Sequence, residues 1–179
     1  MGLIKIENVD VYGWEAAIRG MRNPMNSWDK SDSEYEFYVD GEFHYEIGQN
    51  DLKLMKSLSK AGSDHGKFLR MINVTLDLTL PLYAWKEFDT YKVGTVANSC
   101  STMHKIHAKE FELDDFSHEH LEDNPCASNA VNPIRIMERL IYCLNCYRVL
   151  FIETKDKKYW WQMIQLLPSS YNQKRTVQL

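Results

Sequence analysis

No apolar run in this sequence approaches the length of a membrane span, no signal peptide opens it, and no segment repeats. Basic residues form no stripe. The 21 Lys and Arg are intermixed with 25 Asp and Glu, for a net charge of −4, which argues against a nucleic-acid backbone as partner. Cysteine is scarce: Cys100, Cys126, Cys143 and Cys146, in a chain with no leader, fit a reducing cytoplasm better than a disulfide scaffold. What remains is a globular composition. With 44% hydrophobic and 26% charged residues and frequent aromatics, the 179 residues are neither disordered nor too few to bury a core, and they read as a single domain.

Taken in order, the chain alternates short strand and helix patterns. LIKIENVDV (3–11) reads as a first strand with Ile4, Ile6 and Val9 inward, and Trp14–Met21 as a short helix. Asn23–Ser33 is a polar loop whose Trp28 either stacks on a ring-bearing ligand or, more commonly, tacks the loop to the core. Asp40-Gly41 sits between two β-prone runs, Tyr35–Val39 and Glu42–Ile47, the strongest local hairpin signal in the chain. This 35–47 hairpin reads as an inserted arm or an oligomer contact. A helix follows over Asp51–Lys60, capped by Gln49 or Asn50 and stopped by Gly62. Phe68–Leu80 reads as a helical turn feeding a strand in which Val74, Leu76 and Leu78 alternate with Thr75, Asp77 and Thr79. Its polar side either lines a cavity or, as the commoner outcome, faces water.

The stretch Pro81–His104 organises the rest. Pro81 opens a helix with Leu82, Trp85 and Phe88 on one face, and Gly94 breaks it. Thr95, Asn98, Ser99, Cys100, Ser101 and Thr102 then form a hydroxyl- and amide-rich loop, suited to a polar ligand or to capping a connection between helices. Beyond it, His104, His107, His118 and His120 fit no standard metal spacing, so no metal is expected. Glu122–Val131 is a loop. Pro133 to about Thr154 is the longest helix, apolar over so wide an arc that it is either central to the fold or packed on a partner chain. Cys143-x-x-Cys146 lies within it as two small apolar residues on a packed face. Lys155–Lys158 is a charged turn, Tyr159–Leu167 a short helix, and Ser169–Arg175 a second polar loop whose Lys174 and Arg175 either face solvent or bind phosphate.

The central stretch resembles the signature of the flavin-dependent thymidylate synthases (ThyX-like proteins). That motif reads Arg-His-Arg, two residues, Ser, one residue, Asn-Glu, one residue, Ser, one residue, Arg-Tyr. Asn98, Ser101 and their interval match, and Thr95 stands for the first Ser if one residue is inserted. His65, the apolar run Ile72–Leu78 and Pro81 fall at comparable upstream intervals, and Leu167-Pro168 echoes the family's Arg-x-x-Leu-Pro. The similarity spans roughly His65 to Arg175. The family's arginines are missing. Thr90, Tyr91, Lys92 and Val93 stand at Arg-His-Arg, Ser99 at the Glu, Met103 and His104 at Arg-Tyr, and Ile164 before Leu-Pro. Neutral side chains cannot supply the fork-like, charge-assisted donors that a phosphate dianion requires.

The resemblance implies an α/β (α+β) domain with a central, mostly antiparallel sheet flanked by long helices, assembled as a homo-oligomer, dimer or tetramer. It implies His65, Thr95 and Asn98 toward FAD as cofactor. Lys92, Ser99, Ser101, His104, Lys174 and Arg175 would then face a nucleotide-like substrate, with no catalytic residue identified. Two functions follow: a divergent FAD-dependent enzyme methylating a pyrimidine nucleotide, or a non-catalytic protein that captures a nucleotide or cyclic-nucleotide signal.

Overall fold

A computed structural model describes residues 4–123 and 131–179. Cys126 and most of the loop expected at Glu122–Val131 lie outside the described residues. In chain order the strands and α-helices are β1 (Lys5–Tyr12), α1 (Trp14–Arg22), β2 (Glu34–Phe37), β3 (Phe43–Glu46), α2 (Gln49–Lys60), β4 (Asn73–Pro81), α3 (Leu82–Phe88), β5 (Val96–Ser99), α4 (Pro133–Thr154), α5 (Lys157–Leu166) and β6 (Asn172–Gln178). The class is mixed α+β: an antiparallel four-stranded sheet in the order β1-β4-β6-β5, helices, and a separate β2-β3 hairpin. Among the described residues no helix is long and apolar enough to cross a membrane.

The chain divides into two compact units. The first comprises residues through Asn8 together with Leu76–Val177; the second comprises Val9–Thr75 with the last two residues.

In the first unit β4 and β6 form the middle of the sheet. Asp77 bonds Thr176, and the Leu82 N–H donates to the Tyr171 carbonyl at 2.9 Å. That register sets Thr79 opposite Lys174. Leu76, Leu78 and Leu80 are buried on one side of β4 while Asp77 and Thr79 occupy the other, as alternation predicts. Trp85 of α3 is fully buried and its indole N–H donates to the Gln173 carbonyl at 2.8 Å. A separate core forms where α4 packs on α5, with Leu144 and Met163 closed off by Ile106, Phe111 and Phe116. Asn132 caps α4 by accepting from the Arg135 N–H, and Asp156 caps α5 through the Lys158 N–H. The charged turn is therefore shorter than expected, because Lys157 is already helical.

The second unit packs α1 and α2 around Ala17, Ile18, Met21, Met55 and Phe68. Its Asn23–Ser33 loop is held by polar contacts, not by its tryptophan. Buried Asp51 accepts from Arg22, Ser31, Ser33 and the Asp32 N–H, and Arg22 reaches the carbonyls of Ser27 and Lys30. The Asp32 carboxylate, not Gln49 or Asn50, caps α2 by accepting from the N–H groups of Asn50 and Asp51.

Several expectations are corrected. Ile4, Ile6 and Val9 are exposed, because β1 is the outermost strand of its sheet. Pro81 ends β4 with extended backbone, and the helix begins at Leu82. Cys146 is exposed, so only half-buried Cys143 sits on a packed face. The long helix is not central. α4 buries Leu144 against α5 but leaves Ile136, Tyr142, Val149 and Ile152 exposed along its remaining surface.

Candidate ligand-binding site

Both polar segments expected as loops contain strands. Val96–Ser99 is β5, and most of Ser169–Arg175 belongs to β6, which lies between β4 and β5. The composition NQKRTVQ carries only two strand formers, Thr176 and Val177. Pairing with β4 and β5 decides its conformation, overriding local preference.

Next to this pairing, a turn at Cys100–Ile106 folds beside β6. The Cys100 N–H donates to the Lys174 carbonyl at 3.0 Å, and Gln173 Nε2 donates to the Cys100 carbonyl at 2.8 Å. Between turn and strand lies a cavity of about 380 Å³, lined by Thr79, Cys100, Ser101, Thr102, Lys105, Tyr171, Gln173 and Lys174 among others. Its volume is in the range of small-molecule sites.

Lys174 does not stand free in it. Its ammonium lies 3.0 Å from Asp77 and 3.2 Å from Glu7, contacts that raise its pKa. Asp77 also accepts from Thr176 at 2.6 Å and Asn8 at 2.8 Å; with Lys174, these bonds hold its carboxyl at about 2. Asn8 adopts a left-handed conformation (φ 51°) within β1. Among the described residues, by contrast, Lys105 makes no ion pair and the Tyr171 hydroxyl makes no hydrogen bond, its pKa raised chiefly by burial. Both donors are available to a ligand. Ser101 Oγ accepts from the Met103 N–H and shares a hydrogen bond with His104 Nδ1, 2.8 Å away.

A second cavity, of about 230 Å³, is lined by Lys92, Thr95, Arg175, Asp89, Tyr91 and neighbours. Arg175 is committed within it. Nη1 meets Asp89 at 2.8 Å, Nε donates to Gln173 Oε1 at 3.0 Å, and the guanidinium lies 4.2 Å from the Trp85 ring. Thr95 donates its hydroxyl to the Tyr91 carbonyl, and among the described residues Lys92 is an unpaired cation there.

The residues singled out in the sequence are therefore distributed. Ser101 and Lys174 share the larger cavity; Lys92, Thr95 and Arg175 share the smaller. Asn98 and Ser99 lie exposed on β5 and line neither. His65 starts a 3₁₀ turn in the second unit and is exposed. Lys105, Tyr171 and the Asp77 network were not legible locally. Asp77 was the nearest to being found, on the polar side of an alternating strand.

The fold has solved counterparts. Thymidylate Synthase X (ThyX) from Helicobacter pylori, with FAD and dUMP, matches with a TM-score of 0.64 at 14% identity, over 99% of this chain and 78% of that one. The UMP/dUMP methylase PolB from Streptomyces cacaoi, bound with 5-Br UMP, matches with a TM-score of 0.55 at 12% identity, over 99% and 71%. No family model matches the chain, and no curated protein matches it in sequence. At this level of identity the likeness establishes the ThyX-like fold, and function has to be argued from the site.

Proposed function

We propose that the chain binds a phosphorylated pyrimidine-like ligand in the larger cavity, as a homo-oligomer. The observation that carries this reading is the convergence of Cys100–Lys105 and Tyr171–Lys174 on one cavity holding an ammonium and a phenol that are unpaired among the described residues. Two proteins of the same fold were solved with dUMP or 5-Br UMP, which supports the ligand class. Lys105 takes the phosphate, since its charge is uncompensated. Lys174, fixed between Asp77 and Glu7, presents its remaining N–H to a sugar or ring oxygen. Tyr171 supplies a hydroxyl and a ring edge. The self-association rests on the exposed apolar surface of α4.

FAD fits one copy poorly. Of the residues expected to hold it, Thr95 is occupied by the Tyr91 carbonyl, Asn98 lies outside both cavities and His65 is in the other unit. Arg175 is neutralised by Asp89, so Lys92 is the cation left for a pyrophosphate in the smaller cavity. Capture of a nucleotide or cyclic nucleotide is therefore favoured over turnover. The second reading, an FAD-dependent methylating enzyme, is supported by the fold shared with FAD-bound ThyX.

Calorimetric titration with uridine monophosphate tests the first reading. Lys105→Ala and Tyr171→Phe should each weaken binding by roughly tenfold, the loss of one charged or neutral hydrogen bond. Unchanged affinity in both variants removes the site. Flavin absorbance near equimolar in purified protein would instead support the second reading.

A further inference from the structure

α4 presents two different faces. Leu144 enters the core shared with α5, flanked by half-buried Met137, Leu140, Ile141, Tyr147 and Phe151. On the opposite side Arg135, Arg139, Tyr142, Cys146, Val149 and Glu153 are all exposed. They recur at alternating intervals of four and three residues, the heptad seam along which one helix lies on another. The middle of the seam is apolar: Tyr142 is 74% exposed and Val149 46%, with exposed Leu150 beside them. Tyr142 and Cys146 touch there, a hydrogen bond that raises the pKa of the tyrosine. A contiguous row of this kind on an outer helix face marks a protein contact.

The charges at the two ends of the seam decide what covers it. Arg139 lies seven residues before Cys146 and Glu153 seven residues after. Among the described residues neither forms an ion pair, whereas Arg135 is already matched by Asp123 and Glu138. An antiparallel copy of α4, with its two-fold axis at Cys146, sets Arg139 against Glu153 of the second copy, and does so twice. The same axis sets Tyr142 against Leu150. A parallel pairing would instead bring Arg139 onto Arg139 and Glu153 onto Glu153, like charges that repel. Moving the axis to midway between Asn145 and Cys146 would bring Glu138 onto Glu153. The seam is thus complementary to its own reverse, and in one register.

We infer that α4 packs antiparallel on α4 of a second copy, with Arg139 on Glu153 in both directions and Cys146 at the two-fold axis. An isologous contact of this kind closes as a dimer. Every residue in it belongs to the first unit. The inference rests on the homo-oligomer of the proposed function and names its surface, direction and register.

A charge exchange tests it by sedimentation, with folding checked by circular dichroism. Arg139→Glu should weaken self-association by at least about tenfold, as should Glu153→Arg, since each sets like charges together twice. Combining the two should restore it. Mild oxidation of the native protein should give a disulfide-linked dimer that Cys146→Ser loses, because only residues close to the axis come within disulfide reach. Uridine monophosphate binding should persist in the charge variants, since neither residue lines the larger cavity. Charge variants that associate like the wild type, or an associated wild type that does not cross-link through Cys146, overturn the α4 pairing while leaving self-association standing. A wild-type chain that stays monomeric at every attainable concentration overturns both, with the ligand reading judged separately by the titration. Loss in each variant without restoration in the combination assigns the seam to a different partner and also overturns the pairing.

Discussion

Arg22 and Asp51 meet at 2.6 Å with side chains 5% and 0% exposed, and through them the Trp28 loop is fastened to α1 and α2. Each guanidinium nitrogen of Arg22 donates one hydrogen bond and both Asp51 oxygens accept, which is the condition under which a buried ion pair can be tolerated. Trp28 therefore stays half exposed, its indole N–H donating to Asn23 Oδ1 at 2.8 Å.

Asp51→Ala strands the Arg22 charge and should cost about 3–5 kcal/mol, read by urea unfolding. Trp28→Ala should cost far less, because the loop is not held by its ring. The reverse ranking would reassign the loop's anchor.

Acid should act through the carboxylates. Burial by itself would raise the pKa of Asp51, but bonds from Ser33, Ser31 and Arg22 outweigh it and hold the group below the usual range. Asp77 is held at about 2, first by Thr176, then by Asn8 and Lys174. A depressed pKa contributes stability that is present above the unfolded value and is lost as pH falls toward the folded one. For Asp77 that window runs from 3.8 down to about 2. Carboxyl NMR titration should show this low midpoint in the wild type and a higher one in Thr176→Val.

Arg175→Ala separates a structural from a ligand-binding arginine. Loss of the Asp89 pair and the Trp85 contact should lower stability by about 2 kcal/mol. Affinity for uridine monophosphate in the larger cavity should stay within about twofold, because Arg175 does not line it. A large affinity loss without destabilisation would restore the arginine to the ligand.

Leu144→Ala should cost about 2–5 kcal/mol in thermal or urea unfolding, since Leu144 is fully buried between α4 and α5. A cost near zero would mean the two helices do not share that core.

The elements legible in the sequence are those whose signals are local. Asn132-Pro133 opens α4, whose expected and observed spans coincide, and Asp40-Gly41 marks the hairpin with Gly41 at φ 87°. β4 shows itself by alternation. Periodicity, a cap and a left-handed turn act within a few residues, so they can be read one segment at a time. The site was legible only as two polar stretches. Tertiary pairing decided that one was a central strand and the other an edge strand followed by a turn. It also decided that Lys174 and Arg175 are neutralised by Asp77, Glu7 and Asp89 while Lys105 is not. Charge compensation and strand register depend on residues as many as 167 positions apart, and separations of that size leave no periodic trace in a linear sequence.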